Sequence, residues 1–144
     1  MIRVKGGSES QRKHVKSMAN FCITKLMPRM KSINITIRLT SPNGAMGYCL
    51  ELDDNRTFEI EADKKLRLRK LLETIAHEMV HVKQYARREL HPVTDTWLGK
   101  TYNPEKMSYW DLPWEIEAHG REVGLFVRWA EQEKLGDKKW TQDV

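Results

Sequence analysis

Long apolar runs are missing from this chain. Nowhere do about 18 consecutive apolar residues occur, so no segment reads as a membrane-spanning helix. Residues 1–16 are polar and basic and lack the apolar stretch of a signal peptide. The expectation is a soluble cytoplasmic protein with no membrane partner. Cysteine is equally scarce. Cys22 and Cys49 stand alone, without the C-x-x-C spacing of a zinc ribbon or a thioredoxin-like site, and read as reduced core thiols. There is no internal repeat, linker or low-complexity tract, no glycine loop of the phosphate-binding kind, and no serine or cysteine nucleophile motif. Neither sign of charge dominates: 25 Lys and Arg against 20 Asp and Glu leave +5. That balance favours solubility and acidic partners but is far from a nucleic-acid-binding tail. A length of 144 residues allows one domain with one modest core, and hence one site to look for.

What is present is a clear sequence of periodicities. Residues 8–31 carry Val15, Met18, Phe21, Cys22 and Leu26 at helical spacing, which predicts an opening amphipathic helix broken near Pro28. The period then becomes two. Ile33, Ile35, Ile37 and Leu39 alternate with polar residues, Ser41-Pro42-Asn43-Gly44 has turn chemistry, and residues 45–52 can run back as a second strand. Asp53-Asp54-Asn55-Arg56 is the next turn, and residues 57–61 alternate as a third strand. Asp63 is placed to cap a long helix over about 64–90. Residues 91–113, rich in Pro, Gly, Asn, Tyr and Trp, predict a long ordered surface loop, the kind of segment that often carries function. A last helix over about 112–134, starting near Asp111 and Pro113 and stopping by Gly136, leaves a loose tail ending at Val144. The order is helix, three strands, helix, loop, helix: an α+β chain.

Within the long helix, His77-Glu78-Met79-Val80-His81 sets two imidazoles four residues apart. On a helix they lie one above the other, close enough to share one cation. Zinc suits such a pair: a catalytic site takes three protein ligands and keeps one place for water. Glu78 adjoins the first ligand but points to another side of the helix, as a general base would. At about 100° per residue, Leu68, Leu72, Ile75, Met79, Val82 and Ala86 form the apolar stripe, and the two histidines lie roughly 150° from it. The bland alternative is a pair of solvated histidines on a polar face.

A third ligand must come from elsewhere, and the last helix supplies Pro113-Trp114-Glu115-Ile116-Glu117-Ala118-His119 and Glu122. Trp114, Ile116, Ala118, Val123, Leu125, Phe126, Val127, Trp129 and Ala130 make a broad apolar arc with Glu115, His119 and Glu122 near its middle. Glu117 falls on the polar side with Arg121 and Arg128. Ionisable groups aimed into a core need a charge partner or a metal. Glu115 is therefore the expected third metal ligand, with His119 or Glu122 orienting a ligand or substrate. The alternative is a partly exposed helix whose acids pair with surface lysines.

These two segments, joined by a Trp- and Tyr-rich loop, make the chain resemble the zincin metallopeptidases. The likeness is to minimal, Glu-liganded forms and to small SprT-like and phage-encoded peptidases, and it spans roughly residues 33–135. The resemblance implies a zinc ion, a peptide or protein substrate, and a sheet backing the metal-binding helix. It also implies that strand 57–61 borders the cleft and binds an extended peptide by strand addition. Glu-liganded enzymes follow their ligand with E-x-x-x-D; here His119 stands in the Asp place. SprT-like enzymes use a third histidine, which puts His91 and His119 forward as rivals to Glu115. The metzincin spacing is absent, because Arg87 occupies its third-histidine position.

Zinc-dependent peptide-bond hydrolysis, with Glu78 moving the proton of an activated water, is the expected function. A non-catalytic protein whose structural zinc ties two helices together is a second reading. A DNA-associated module is a third, suggested by Lys64, Lys65, Arg67, Arg69, Lys70, Arg87 and Arg88, although such a run on a helix is usually a solvated face. Tyr102, Tyr109 and Trp110 either stabilise an oxyanion and shape the cleft or pin their loop to the body.

Overall fold

A computed structural model describes residues 1–52 and 54–143. Asp53 of the second expected turn and Val144 at the end of the tail lie outside the described residues.

The chain opens with a strand that its composition conceals. β1 (Ile2–Gly6) leads into α1 (Glu9–Leu26), and β2 (Asn34–Thr40) returns parallel to it. Ile2 and Val4 alternate with Arg3 and Lys5, but two apolar residues are too short a pattern to separate a strand from a basic terminus. Gly6 and Gly7 make the turn, with φ of 85° and 64°. A Cβ at Gly6 would lie 2.3 Å from the Leu39 carbonyl oxygen, so only glycine fits. Ser8 then caps α1, accepting from the Gln11 N–H while the Gln11 side chain reaches back.

β3 (Gly47–Glu51) and β4 (Thr57–Asp63) complete a sheet of four strands, not three, in the order β1-β2-β4-β3. β2 and β3 do not form the expected return pair: β4 lies between them, parallel to β2 and antiparallel to β3. The register aligns Val4, Ile37, Ile60 and Cys49 in one row and Ile2, Ile35, Phe58 and Glu51 in another. This face packs against the helices. The other face is polar, with Arg38 and Glu59 paired at 3.1 Å and Thr40 donating to Glu61. Because β4 is bonded on both sides, it cannot accept a further strand. The end strands are β1 and β3.

α2 (Leu68–Ala86) begins later than Asp63 suggests and stops before Leu90. The Asp63 carboxylate accepts from the Lys65 N–H, and its carbonyl from Leu66, closing a separate turn ahead of the helix. At the other end Arg88 takes a φ of 58°, Glu89 N–H donates to the Gln84 carbonyl and Arg88 N–H to that of Tyr85. This is a Schellman closure with arginine where glycine is usual, which is why no stop is visible in the sequence. α3 (Pro113–Gln132) ends in the same way, with Lys134 at φ 59°.

α2 runs through the centre of the molecule and is buried continuously from Leu71 to Ala86 except at Tyr85. One side meets the sheet and α1; the side bearing the histidines is covered by α3. Between them the expected loop is organised as β5 (Leu90–His91), β6 (Thr96–Trp97) and β7 (Lys100–Thr101), followed by short 3₁₀ turns at Pro104–Lys106 and Tyr109–Asp111. The C-terminal segment is not loose. Lys139–Gln142 forms a 3₁₀ turn, Trp140 packs edge-on to His14 and lies beside Trp129, and Arg67 pairs with Asp143 at 2.8 Å. No described helix is long and apolar enough to cross a membrane.

Candidate metal centre

Helical spacing brings the His77 and His81 rings together, with centroids 4.9 Å apart. Pro113 starts α3 at its first turn, where Glu115 follows on the side facing α2. Glu115 Oε1 lies 3.1 Å from His77 Nε2 and 3.2 Å from His81 Nε2. Four tetrahedral ligands at zinc bond lengths of about 2.0–2.1 Å stand about 3.3 Å from one another. The two separations from Glu115 match that spacing and all three donor atoms lie within 4.8 Å of one another, so two imidazole nitrogens and one carboxylate oxygen form a group that could hold a metal ion.

Each histidine has a polar partner facing its second nitrogen. His81 Nδ1–H donates to Gln84 Oε1 at 2.7 Å, and Gln84 Nε2 in turn donates to the Trp114 carbonyl and to Glu117 Oε1 at 2.9 and 3.0 Å. With Nδ1 taken as the donor, Nε2 is the nitrogen that, once its own proton is lost, offers a lone pair on Glu115's side of the ring. His77 Nδ1 faces Glu122 Oε1 at 3.7 Å, and the same oxygen is 2.6 Å from His119 Nδ1. Tyr109, on the 3₁₀ turn before α3, donates its hydroxyl to Glu115 Oε1 at 2.9 Å and lies 2.9 Å from His119 Nε2. Trp110 covers the His119 ring at 4.9 Å.

Electrostatics follow from this crowding. Burial opposes charge on His77, but the hydrogen bond with Glu115 and the nearby Glu122 carboxylate outweigh it and raise its pKa to about 9. His81 is raised in the same sense, against burial, chiefly by Glu115. Glu115 is held well below the ordinary carboxylate range: burial works against this, and the two histidines and Tyr109 prevail. Glu78 moves the other way, because burial raises its pKa more than the histidines lower it. Burial and the nearby Glu78 charge keep the Cys49 thiol protonated, so it is no nucleophile.

A cavity of about 240 Å³ opens beside His77, Glu78, His81, Glu115 and Tyr109, with Gly47 to Cys49 of β3 as one wall. Gly47 makes this approach possible: a Cβ there would lie 2.9 Å from Thr74 Cγ2, 2.9 Å from the Glu61 carbonyl oxygen and 3.6 Å from Glu78 Oε2. Larger hollows, around Met27–Met30 with Ala86–Arg88 and around Lys138–Asp143, have none of these donors.

Several expectations need correction. His91 sits exposed on β5, its Nδ1 accepting from the Val93 N–H, and belongs to neither donor group among the described residues. Glu117 is not on an outward polar side: it turns to α2, where it accepts from Lys83 at 2.6 Å and from Gln84. Lys83 is buried there and needs the charge. Ile116, Val123 and Val127, assigned to the apolar arc, are instead exposed by 40 % or more, since α2 reaches only part of α3's circumference. Tyr102 packs edge-on against Trp114 and pins the loop, whereas Tyr109 enters the site. The basic residues are partly consumed internally: Arg69 bonds Glu73 and the Thr141 carbonyl, and Arg67 bonds Asp143. Sequence reasoning missed Lys83 and Gln84 altogether. The available signal is spacing: Gln84 follows His81 by three residues, which on a helix puts its amide within reach of that ring.

No protein-family model matches the chain, and no curated protein or solved structure shows significant similarity to it.

Proposed function

We propose that this chain is a zinc-dependent peptidase of zincin-like design, in which His77, His81 and Glu115 hold the metal and Glu78 is the general base. The observation that carries the reading is the approach of Glu115 Oε1 to both imidazole Nε2 atoms at 3.1 and 3.2 Å, beside the buried Glu78 and an accessible cavity. When bound, zinc supplies Lewis acidity toward a carbonyl and lowers the pKa of water at its open position. Glu78 accepts a proton from the attacking water as the new C–O bond forms, then delivers it to the leaving amine as the C–N bond breaks. Burial suits it to both transfers, because a carboxylate with a raised pKa binds the proton more firmly yet still exchanges it. Burial and Glu115 raise the Tyr109 pKa, so its hydroxyl remains a hydrogen-bond donor at the cleft.

The substrate side of the proposal rests on β3. As an end strand it has one edge without a strand partner among the described residues, and its Gly47–Cys49 backbone borders the cavity. An extended peptide adding to that edge would run past Glu78. This role passes from the strand expected for it, β4, to its neighbour.

A structural centre tying α2 to α3 would be closed by four protein ligands. The donor group has three, and it faces a cavity, which favours the catalytic reading. The test is digestion of a peptide library with the zinc-loaded protein, followed by mass spectrometry. Cleavage that a chelator abolishes and zinc restores is expected. Metal-loaded protein that cleaves nothing, or no better than Glu78→Gln, overturns the proposal.

A further inference from the structure

We infer that the chain binds a second divalent cation on the opposite side of the His77 ring, held by His77 Nδ1, His119 and Glu122, so that His77 bridges two ions. The inference rests on the first ion occupying the group formed by His77, His81 and Glu115.

Among the described residues His77 alone has its two ring nitrogens facing different carboxylates: Nε2 faces Glu115 at 3.1 Å and Nδ1 faces Glu122 at 3.7 Å. His77, His119 and Glu122 form a donor group of their own, with ligand atoms all within 4.8 Å of one another. Glu122 Oε1 stands 2.6 Å from His119 Nδ1 and 3.7 Å from His77 Nδ1. These two separations bracket the roughly 3.3 Å between neighbouring ligands of a tetrahedral ion, so a small rotation of one carboxylate serves both. α3 makes the arrangement possible. Glu115, His119 and Glu122 follow one another at four and three residues along one face, sending the first to one side of the His77 ring and the other two to the opposite side.

The second group has its own access. A cavity of about 380 Å³ reaches His77, His119 and Glu122 from the side of Gly44–Gly47 and Thr74, and Glu78 and Tyr109 border both this cavity and the first. Charge is also largely offset. Two dications would face the three carboxylates of Glu78, Glu115 and Glu122. Lys70, the one lysine or arginine among the lining residues, is directed to Glu73 at 3.9 Å. Mixed imidazole and carboxylate donors select borderline ions such as Zn²⁺ and Co²⁺ over Mg²⁺ or Ca²⁺.

The experiment is to strip the protein with chelator, return Zn²⁺, remove the excess and count ions per chain by elemental analysis. Circular dichroism of every variant checks folding. Wild type should hold two ions, and His119→Ala and Glu122→Ala one each. Glu122→Gln, which preserves shape but not charge, should bind its second ion at least tenfold more weakly. Titration with Co²⁺ should show electron paramagnetic resonance intensity falling as the second equivalent enters wild type, because a shared imidazolate couples the two spins. One ion in wild type and in both alanine variants overturns the bridge and leaves the first site standing, with Glu122 only orienting His77. A second ion that persists in both alanine variants overturns it too, since that ion would lie elsewhere. No ion in wild type overturns both the bridge and the peptidase reading.

Discussion

Gln84 Oε1 lies 2.7 Å from His81 Nδ1, and this contact fixes which nitrogen of His81 is free to bind a cation. Gln84 is itself held, through its amide nitrogen, by the Trp114 carbonyl and Glu117. Both partners flank Glu115 on α3, so one glutamine ties the tautomer of a donor on α2 to the placement of a donor on α3. Gln84→Met should therefore keep the helix but lower zinc affinity by about 10- to 100-fold. Competition against a chelator of known affinity measures this, and unchanged affinity would show that the contact is incidental.

Glu78→Gln should retain zinc and the fold while removing hydrolysis, since an amide keeps the shape but cannot accept the water's proton at neutral pH. Zinc content and peptide cleavage, measured on the same sample, should separate. Parallel loss of both would place Glu78 among the ligands instead.

Glu115 and Glu117 should fail in different ways. Glu115→Ala removes a donor and should weaken zinc binding by about 100-fold or more. Glu117→Ala leaves Lys83 with Glu89 and deprives Gln84 of an acceptor, so it should cost about 1–3 kcal/mol of stability with at most a tenfold effect on zinc. Chelator competition and thermal melts of both variants decide the matter. The reverse assignment would mean that α3 is rotated about its axis relative to this structure.

The metal-free protein should have an unusual pH profile. His77 has a folded pKa of about 9, above its ordinary 6.5, so its contribution to stability is complete below about 6.5 and lost as pH rises through 9. Glu115 is depressed, so its contribution is present above about 4.5 and lost in acid. The melting temperature of chelated protein should thus peak between about pH 5 and 6.5 and decline by several degrees toward pH 9. Zinc must displace the histidine protons, so its affinity should rise over the range in which metal-free stability falls. A flat or rising profile for the chelated protein would contradict the ion pairing described here.

Gly47→Val should test the closeness of β3 to α2. Its side chain would meet the Glu61 carbonyl and Thr74 at distances no real Cβ tolerates, costing about 1–3 kcal/mol and pushing the edge strand away from Glu78. Peptide turnover should fall more than zinc content does. Equal turnover in the variant would remove β3 from the substrate-binding surface.

Much of the site is legible in the residues alone. The spacing of His77 and His81 requires only a helix to set them together, and the wheel of the last helix sets Glu115, His119 and Glu122 on the side of Trp114, Ala118 and Phe126, though it does not choose among the three and wrongly includes Ile116, Val123 and Val127. The alternation of Ile35, Ile37 and Leu39, and of Phe58, Ile60 and Ala62, likewise marks strands and their inner faces. Periodicity encodes direction around an element's own axis.

It does not encode what lies opposite. β1 is too short to be distinguished without its pairing to β2, and β4 alternates in the same way whether one neighbour or two are bonded to it, so the identity of the edge strand waited on the sheet. The ends of α2 and α3 are closed by Arg88 and Lys134 in left-handed conformations, stabilised by carbonyls earlier in each helix, and leave no glycine to read. Glu117 turns inward because Lys83 is buried across from it. His77 meets Glu122 on one nitrogen and Glu115 on the other because α3 crosses α2 at that height. The contacts of Glu117 and His77 join residues more than thirty positions apart, and packing decided them: a buried charge or donor must find its partner in whichever element the fold brings against it.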